Sequence, residues 1–193
     1  MTRLFRRAPF LAGALLLVTG AALAAPTAYD LDAVHSNVLF RIKHLGVGYV
    51  YGRFNEFSGK VNVDDADLSK ASVQISVKAA SVDTGNGKRD EHLKSPDFFN
   101  VAQFPEMRFA SKTVAKVDGG DRIEGDLTLH GVTRPVTVRM ELVGEADDPW
   151  GNHRRGYHGT FSIRRTDYGI NYDTNVLSDE VDVTLAFETT HKK

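Results

Sequence analysis

The stretch Ala71-Ser72-Val73-Gln74-Ile75-Ser76-Val77-Lys78-Ala79 alternates without a break, apolar at odd positions and polar at even ones. A period of two places successive side chains on opposite faces of an extended chain, so the run predicts a strand with one buried and one wetted face. The same rhythm continues outward in both directions. Phe57, Gly59, Val61 and Val63 precede it, and Val38, Phe40 and Ile42 come earlier still. After it follow Met107, Phe109 and Ser111; Ile123, Gly125, Leu127 and Leu129; Val136, Val138, Met140 and Leu142; Tyr157, Gly159, Phe161 and Ile163; and Val181, Val183, Leu185 and Phe187. Short polar or glycine-bearing links separate them: Asp64 to Asp67, Asp118 to Asp121, His130 to Pro135 and Asp147 to Gly151. Short links imply antiparallel neighbours. The expected fold is all-β, an eight-stranded antiparallel up-and-down barrel closed so that no edge is exposed, with a two-sheet sandwich as the alternative. Asp83 to Gln103 breaks the rhythm and is expected to form one or two short helices capping an end of the barrel.

The composition narrows the function. Of 193 residues 41% are hydrophobic and 25% charged, which is ordinary for a globular domain. With no cysteine, disulfides, thiol nucleophiles and cysteine-ligated metals are excluded. A net charge of −1 offers a phosphate backbone no attraction, so nucleic acid is not an expected partner. At the N-terminus Arg3, Arg6 and Arg7 precede an apolar run, Ala8 to Val18, that is too short to span a bilayer, and Ala22-Leu23-Ala24 is a small-x-small cleavage site. Residues 1–24 are therefore expected to be a secretion signal and 25–193 the mature domain, soluble in the periplasm. Phe5 and Ala8-Pro9 fit a twin-arginine pattern poorly, so general secretion is expected. Loss of the three arginines would leave a net charge of −4.

Several blocks together resemble the YceI family of secreted bacterial proteins. They are Ser81 to Asn86; Arg89-Asp90-Glu91-His92-Leu93-Lys94-Ser95-Pro96-Asp97-Phe98-Phe99; Phe104-Pro105; Asp32 to Ser36 with Phe40 and His44 to Val47; Gly125 to Thr133; Asp148 to Gly151; and Arg165 to Ile170. They span nearly the whole mature chain in order. The resemblance implies a lipocalin-like barrel whose interior binds a long isoprenoid or polyprenyl chain, often a quinone tail. It also implies a setting beside membrane redox proteins such as b-type cytochromes.

The residues make such a ligand physically sensible. A hydrocarbon tail offers no hydrogen bonds to read, so its site must be an apolar cavity lined from many strands. Candidate lining residues are Phe40, Ile42, Phe54, Val73, Ile75, Val77, Phe109, Leu127, Leu129, Val138, Met140, Phe161, Ile163, Tyr168, Val183 and Leu185. Tyr49, Tyr51 and Tyr172 add aromatic surface, and Gly59, Ala71, Ala79, Gly125 and Gly159 are slim inward positions. Phe98 and Phe99 are expected to cover one end, with Asp83, Arg89 and His92 available to a head group. At roughly 0.8 kcal/mol per buried methylene, about ten carbons supply only ~8 kcal/mol against association costs of ~4 to 15 kcal/mol. Short lipids should bind poorly.

Catalytic and metal readings are weaker. Asp90 and His92 stand two apart and do not share a helix face, and no serine occupies a nucleophile elbow. Ion pairing and capping explain Arg89, Asp90 and His92 better, and Arg165 with Asp167 is expected to be a structural ion pair. The seven histidines show no ligand spacing, and Asp64, Asp65 and Asp67 lack the ligand pattern of a calcium loop. The reading is a non-catalytic lipid carrier without cofactor. Its rivals are an enzyme acting on such a lipid and an interaction module for a membrane redox protein.

Overall fold

Long alternating runs need partners along both edges, and the chain supplies them by returning upon itself. The computed structural model describes residues 25–193; the expected secretion signal, residues 1–24, lies outside the described residues. Strands are β1 Thr27–Leu31, β2 Asn37–His44, β3 Gly48–Phe54, β4 Phe57–Val63, β5 Ser72–Lys78, β6 Val82–Asp83, β7 Glu106–Val117, β8 Gly120–Leu129, β9 Val132–Asp147, β10 Asn152–Arg164 and β11 Leu177–Lys192. The helix α1, Gly87–Lys94, lies between β6 and β7.

The first six strands are three staves, each broken once. β2 and β1 follow one another along a single edge of β11, with Val183 opposite Phe40 and Asp30 opposite Thr190. β3 and β4 line the other side of that stave, and β6 and β5 line the next. The breaks are the 3-10 turn Ala33–His35, Asn55-Glu56 and the 3-10 turn Ala79–Ser81. With β7 to β11 this gives eight antiparallel staves in sequence order, closed through β11. The expected barrel is therefore present. β1, β3 and β6 were not expected, because β1 is short with only Tyr29 buried and the two-residue β6 is too short to show a period. In β3 the bulky tyrosines, Tyr49 and Tyr51, face outward while Val50, Gly52 and Phe54 face in, which masks the alternation.

Leu142 departs from its expected inward position and is exposed. The pairing of β8 with β9 stops at Asp121 opposite Met140, so beyond Met140 only β10 flanks β9. A bulge follows, since Gly156 faces Gly144 while Tyr157 faces Leu142, and it leaves Val143 unpaired and exposed. The insertion forms one α-helix followed by hydrogen-bonded turns. Asn86 caps α1, its side-chain oxygen accepting from the Arg89 amide.

One end of the barrel is closed by apolar packing and ion pairs. Tyr29, Val61, Val73, Val114, Ile123, Val138 and Met140 form a buried cluster there. At the seam where β1/β2 meets β11, the Arg154 guanidinium donates to Asp32, Asp148 and Glu188 at 2.8, 2.7 and 2.6 Å. Asp32 also accepts from the Val34 amide and bonds His35, fixing the break in the first stave. Bonds from Arg154 and then His35 hold its carboxyl down at about 2. A depressed carboxylate stabilises the fold above its ordinary range near 3.8, and that contribution disappears as pH falls through about 2. Asp32→Asn should therefore melt below the parent at pH 6, and the gap should close as the pH approaches 2; a gap independent of pH in thermal melts would contradict this.

Candidate functional site

Phe109, Phe161, Ile163, Val183 and Leu185 point inward from three staves yet are only half-buried. In a filled core their packing would exclude solvent; here their free surface faces a cavity of about 540 Å³ inside the barrel. Every residue expected to line the ligand lines this cavity except Tyr168, and Phe98, Phe99, Arg89 and His92 line it too. Space is kept because large side chains lie flat over inward glycines of the next stave. A Cβ on Gly125 would stand 2.7 Å from the Phe109 ring, and one on Gly159 would stand 2.8 Å from the Met140 sulfur. The ring of Phe40 likewise lies across Gly52. The slim positions thus thin the wall instead of forming the space directly.

Val73, Ile123, Met140 and Phe187 form the floor, separating this cavity from a void of about 60 Å³ toward the closed end. Among the exposed residues of the lining, His44, Arg89, His92, Tyr172 and Asp173 belong to the other end and mark the mouth. There α1, the β2–β3 hairpin and the segment after β10 form the rim. The Arg89 guanidinium donates to the Thr84 hydroxyl and carbonyl at 2.7 and 2.8 Å, and it has no carboxylate partner among the described residues. His92 bonds Asp97 at 2.9 Å, and its ring meets those of Phe98 and Tyr172 edge-on, each at 5.1 Å. Asp90 accepts from the Thr84 amide and hydroxyl. Capping and positioning therefore account for Asp90, as its spacing suggested.

Three expectations are corrected. Asp83 is not at the mouth: β6 pairs with β3 through Asp83 opposite Arg53, and its carboxylate accepts from Gly85, Asn55 and Arg53 outside the cavity. Those bonds, led by the Gly85 amide, lower its pKa. Tyr168 is 2% exposed and packs with Phe98, Leu129 and Ile170 outside the lining, where burial pushes its hydroxyl up to about 12. Arg165 does not pair with Asp167. Its guanidinium is buried and donates to the carbonyls of Ser178, Ile170, Tyr172 and Leu177, tying the rim segment to the barrel.

The sequence reading missed Val38, Ile123, Val181 and Phe187, which sit on runs it had found, and Val50, which sits on the strand it had not. Ile170 and Val176, also missed, come with the anticipated Tyr172 from an irregular segment with no period to read. Among the described residues, Asp32, His35 and Glu188 are grouped as a metal could require, but at the closed end, where Arg154 already bonds both carboxylates.

A closed eight-stranded barrel with an apolar cavity open at one end defines a lipocalin-like binding barrel. A family model described as YceI-like domain matches residues 29–189. A UPF0312 protein of Pseudomonas aeruginosa (strain LESB58) is 42% identical over 177 residues, covering 91% of this chain and 92% of that protein. The solved YCEI protein of Campylobacter jejuni is 30% identical with a TM-score of 0.71, over 78% of this chain and 90% of that one. A polyisoprenoid binding domain from Saccharophagus degradans, 19% identical with a TM-score of 0.59, shares the fold over 83% of this chain and 97% of that one. The chain belongs to the YceI-like family.

The Arg165 clamp is directly testable. Arg165→Met leaves the buried Ile170 carbonyl and three part-buried ones without their partner, at about 1 to 3 kcal/mol for a buried group, so urea unfolding should show a loss of about 3 kcal/mol. Arg165→Lys should recover little of it, because one ammonium cannot reproduce the planar fork. Parental stability in either variant would remove the clamp from the account.

Proposed function

We propose that this protein binds a long-chain isoprenoid lipid, a quinone or polyprenyl compound, with its tail in the barrel and its head at the rim. The observation that carries this reading is the single-ended apolar cavity lined by half-exposed inward side chains. The description of the Saccharophagus degradans domain as polyisoprenoid binding supports it. The cavity leaves apolar side-chain surface uncovered by protein, and burying such surface is favourable by roughly 25 cal/mol per Å². Filling it with hydrocarbon therefore stabilises the barrel.

Carriage or sequestration fits better than catalysis. The deep lining is apolar, the titratable groups collect at the rim, and Arg165 has its donors engaged by backbone carbonyls. Export to the periplasm is part of the proposal and rests on the N-terminal sequence. The secreted protein should begin at Ala25 in the soluble periplasmic fraction, as N-terminal sequencing would show.

Gentle purification followed by solvent extraction and mass spectrometry should recover an unmodified isoprenoid lipid near one-to-one, and the stripped protein should melt at a lower temperature. Turnover of that lipid during incubation would favour the enzyme instead. Ile75 faces the cavity opposite Phe109 and lies over Gly59. Ile75→Trp should fold and bind a polyprenol at least about tenfold more weakly, ~1.4 kcal/mol. Parental affinity would mean that the tail does not pass Ile75.

A further inference from the structure

The tip of the β2–β3 hairpin, Leu45-Gly46-Val47, differs from the tight turns between β7 and β8 and between β8 and β9. Asp118-Gly119 and His130-Gly131 are polar or glycine turns, whereas here Leu45 is 58% and Val47 86% exposed. Leu45 also has φ of +51°, a left-handed conformation that a branched aliphatic side chain rarely adopts, and no buried packing compensates it. The Leu45 amide donates to the Val176 carbonyl, which joins the tip to the other side of the rim.

Behind the tip, the outer face of the hairpin combines cations with aromatic rings. Lys43 stands opposite Tyr49 and Arg41 opposite Tyr51. The Arg41 guanidinium lies 4.5 Å and the Lys43 ammonium 5.7 Å from the centre of the Tyr49 ring. From Asn37 to Asn55 the sequence holds Arg41, Lys43 and Arg53 and no acidic residue, within a chain of net charge −1. Arg41 pairs with Asp182 and Arg53 with Asp83, while Lys43, and Lys88 and Arg89 of neighbouring α1, have no carboxylate partner among the described residues. Asp173 is the acidic residue in the cavity rim itself. The inner face of the same hairpin contributes Ile42, His44 and Val50 to the cavity.

We propose that this hairpin docks the mouth of the barrel onto an anionic phospholipid bilayer. Leu45 and Val47 enter the acyl boundary, Tyr49 and Tyr51 sit at head-group depth, and Lys43, Lys88 and Arg89 meet the lipid phosphates. A ligand leaving the bilayer then enters the cavity along one continuous wall. The purpose of docking rests on the lipid-binding reading, but the docking surface itself does not.

The test uses lipid-stripped protein and sedimenting vesicles of phosphatidylcholine with and without phosphatidylglycerol. The parent should sediment with the anionic vesicles and be released by salt, and Lys43→Glu or Val47→Asp should each lower the partition coefficient at least about fivefold. The chain contains no cysteine, so Val47→Cys carries a single environment-sensitive dye. Its emission should shift blue on vesicle binding, while Trp150, the only tryptophan and at the opposite end, stays open to iodide. Failure of the parent to bind, or shielding of Trp150 in place of the dye, overturns the assignment. So does a dimer that Val47→Asp dissociates, which would make the tip a contact between copies. Val47→Asp should retain parental affinity for dispersed polyprenol; losing that together with vesicle binding would indict the folded rim and also overturn the docking role.

Discussion

Closure of the sheet along β11 is the constraint on which the molecule depends. One edge of this strand pairs with β10, and its other edge serves β2 and β1 in succession. An open sheet would leave the backbone groups of the first stave unpaired and its inward side chains free to collapse against any partner. Once the ring is closed, the wall positions are set by hydrogen bonding, and side chains cannot draw together to fill the middle. The ion pairs of Arg154 stand at this seam, where a long strand meets one that is broken.

The cavity follows from that wall and from the distribution of side-chain size along it. Phe40, Phe109 and Met140 are large enough to cross the interior, but each lies over a glycine on an adjacent stave. Toward the closed end, Tyr29, Val61 and Val114 pack into a buried cluster that leaves only the small void of about 60 Å³. The transition between a packed plug and an open chamber therefore requires no change of fold. At the mouth, Arg165 performs a task that elsewhere falls to regular pairing, because its fork bonds the carbonyls of Ile170 and Tyr172 in an irregular segment together with those of Leu177 and Ser178 at the start of β11.

Alternation made the barrel legible, since a buried face repeated in eight runs leaves few architectures that bury them all. The same pattern located the cavity-lining residues from Phe40 to Leu185, for which inward direction alone was sufficient. It gave no purchase on β3, where Tyr49 and Tyr51 look as apolar as the inward Val50. It also carried no information about partners across the chain. Asp83 and Arg89 are only six residues apart, yet strand pairing turns the first outward while the helix sends the second to the rim. Arg165 and Asp167 invited an ion pair by proximity, and only the path of the following segment shows that carbonyls claim the guanidinium.

On the lipid-binding reading proposed above, the floor formed by Val73, Ile123, Met140 and Phe187 would make the barrel a gauge of length. A tail shorter than the chamber leaves part of that apolar surface unmatched, so each added methylene within it deepens binding by roughly 0.8 kcal/mol. Once the tail end reaches the floor, further carbons have only the mouth to occupy, and they return to water or to a neighbouring apolar phase. Affinity measured across a homologous series should therefore rise with carbon number and then level off. The breakpoint is a property of the floor: shortening Met140 would join the small void to the chamber and move it to longer chains, whereas an unchanged series would place the limit elsewhere.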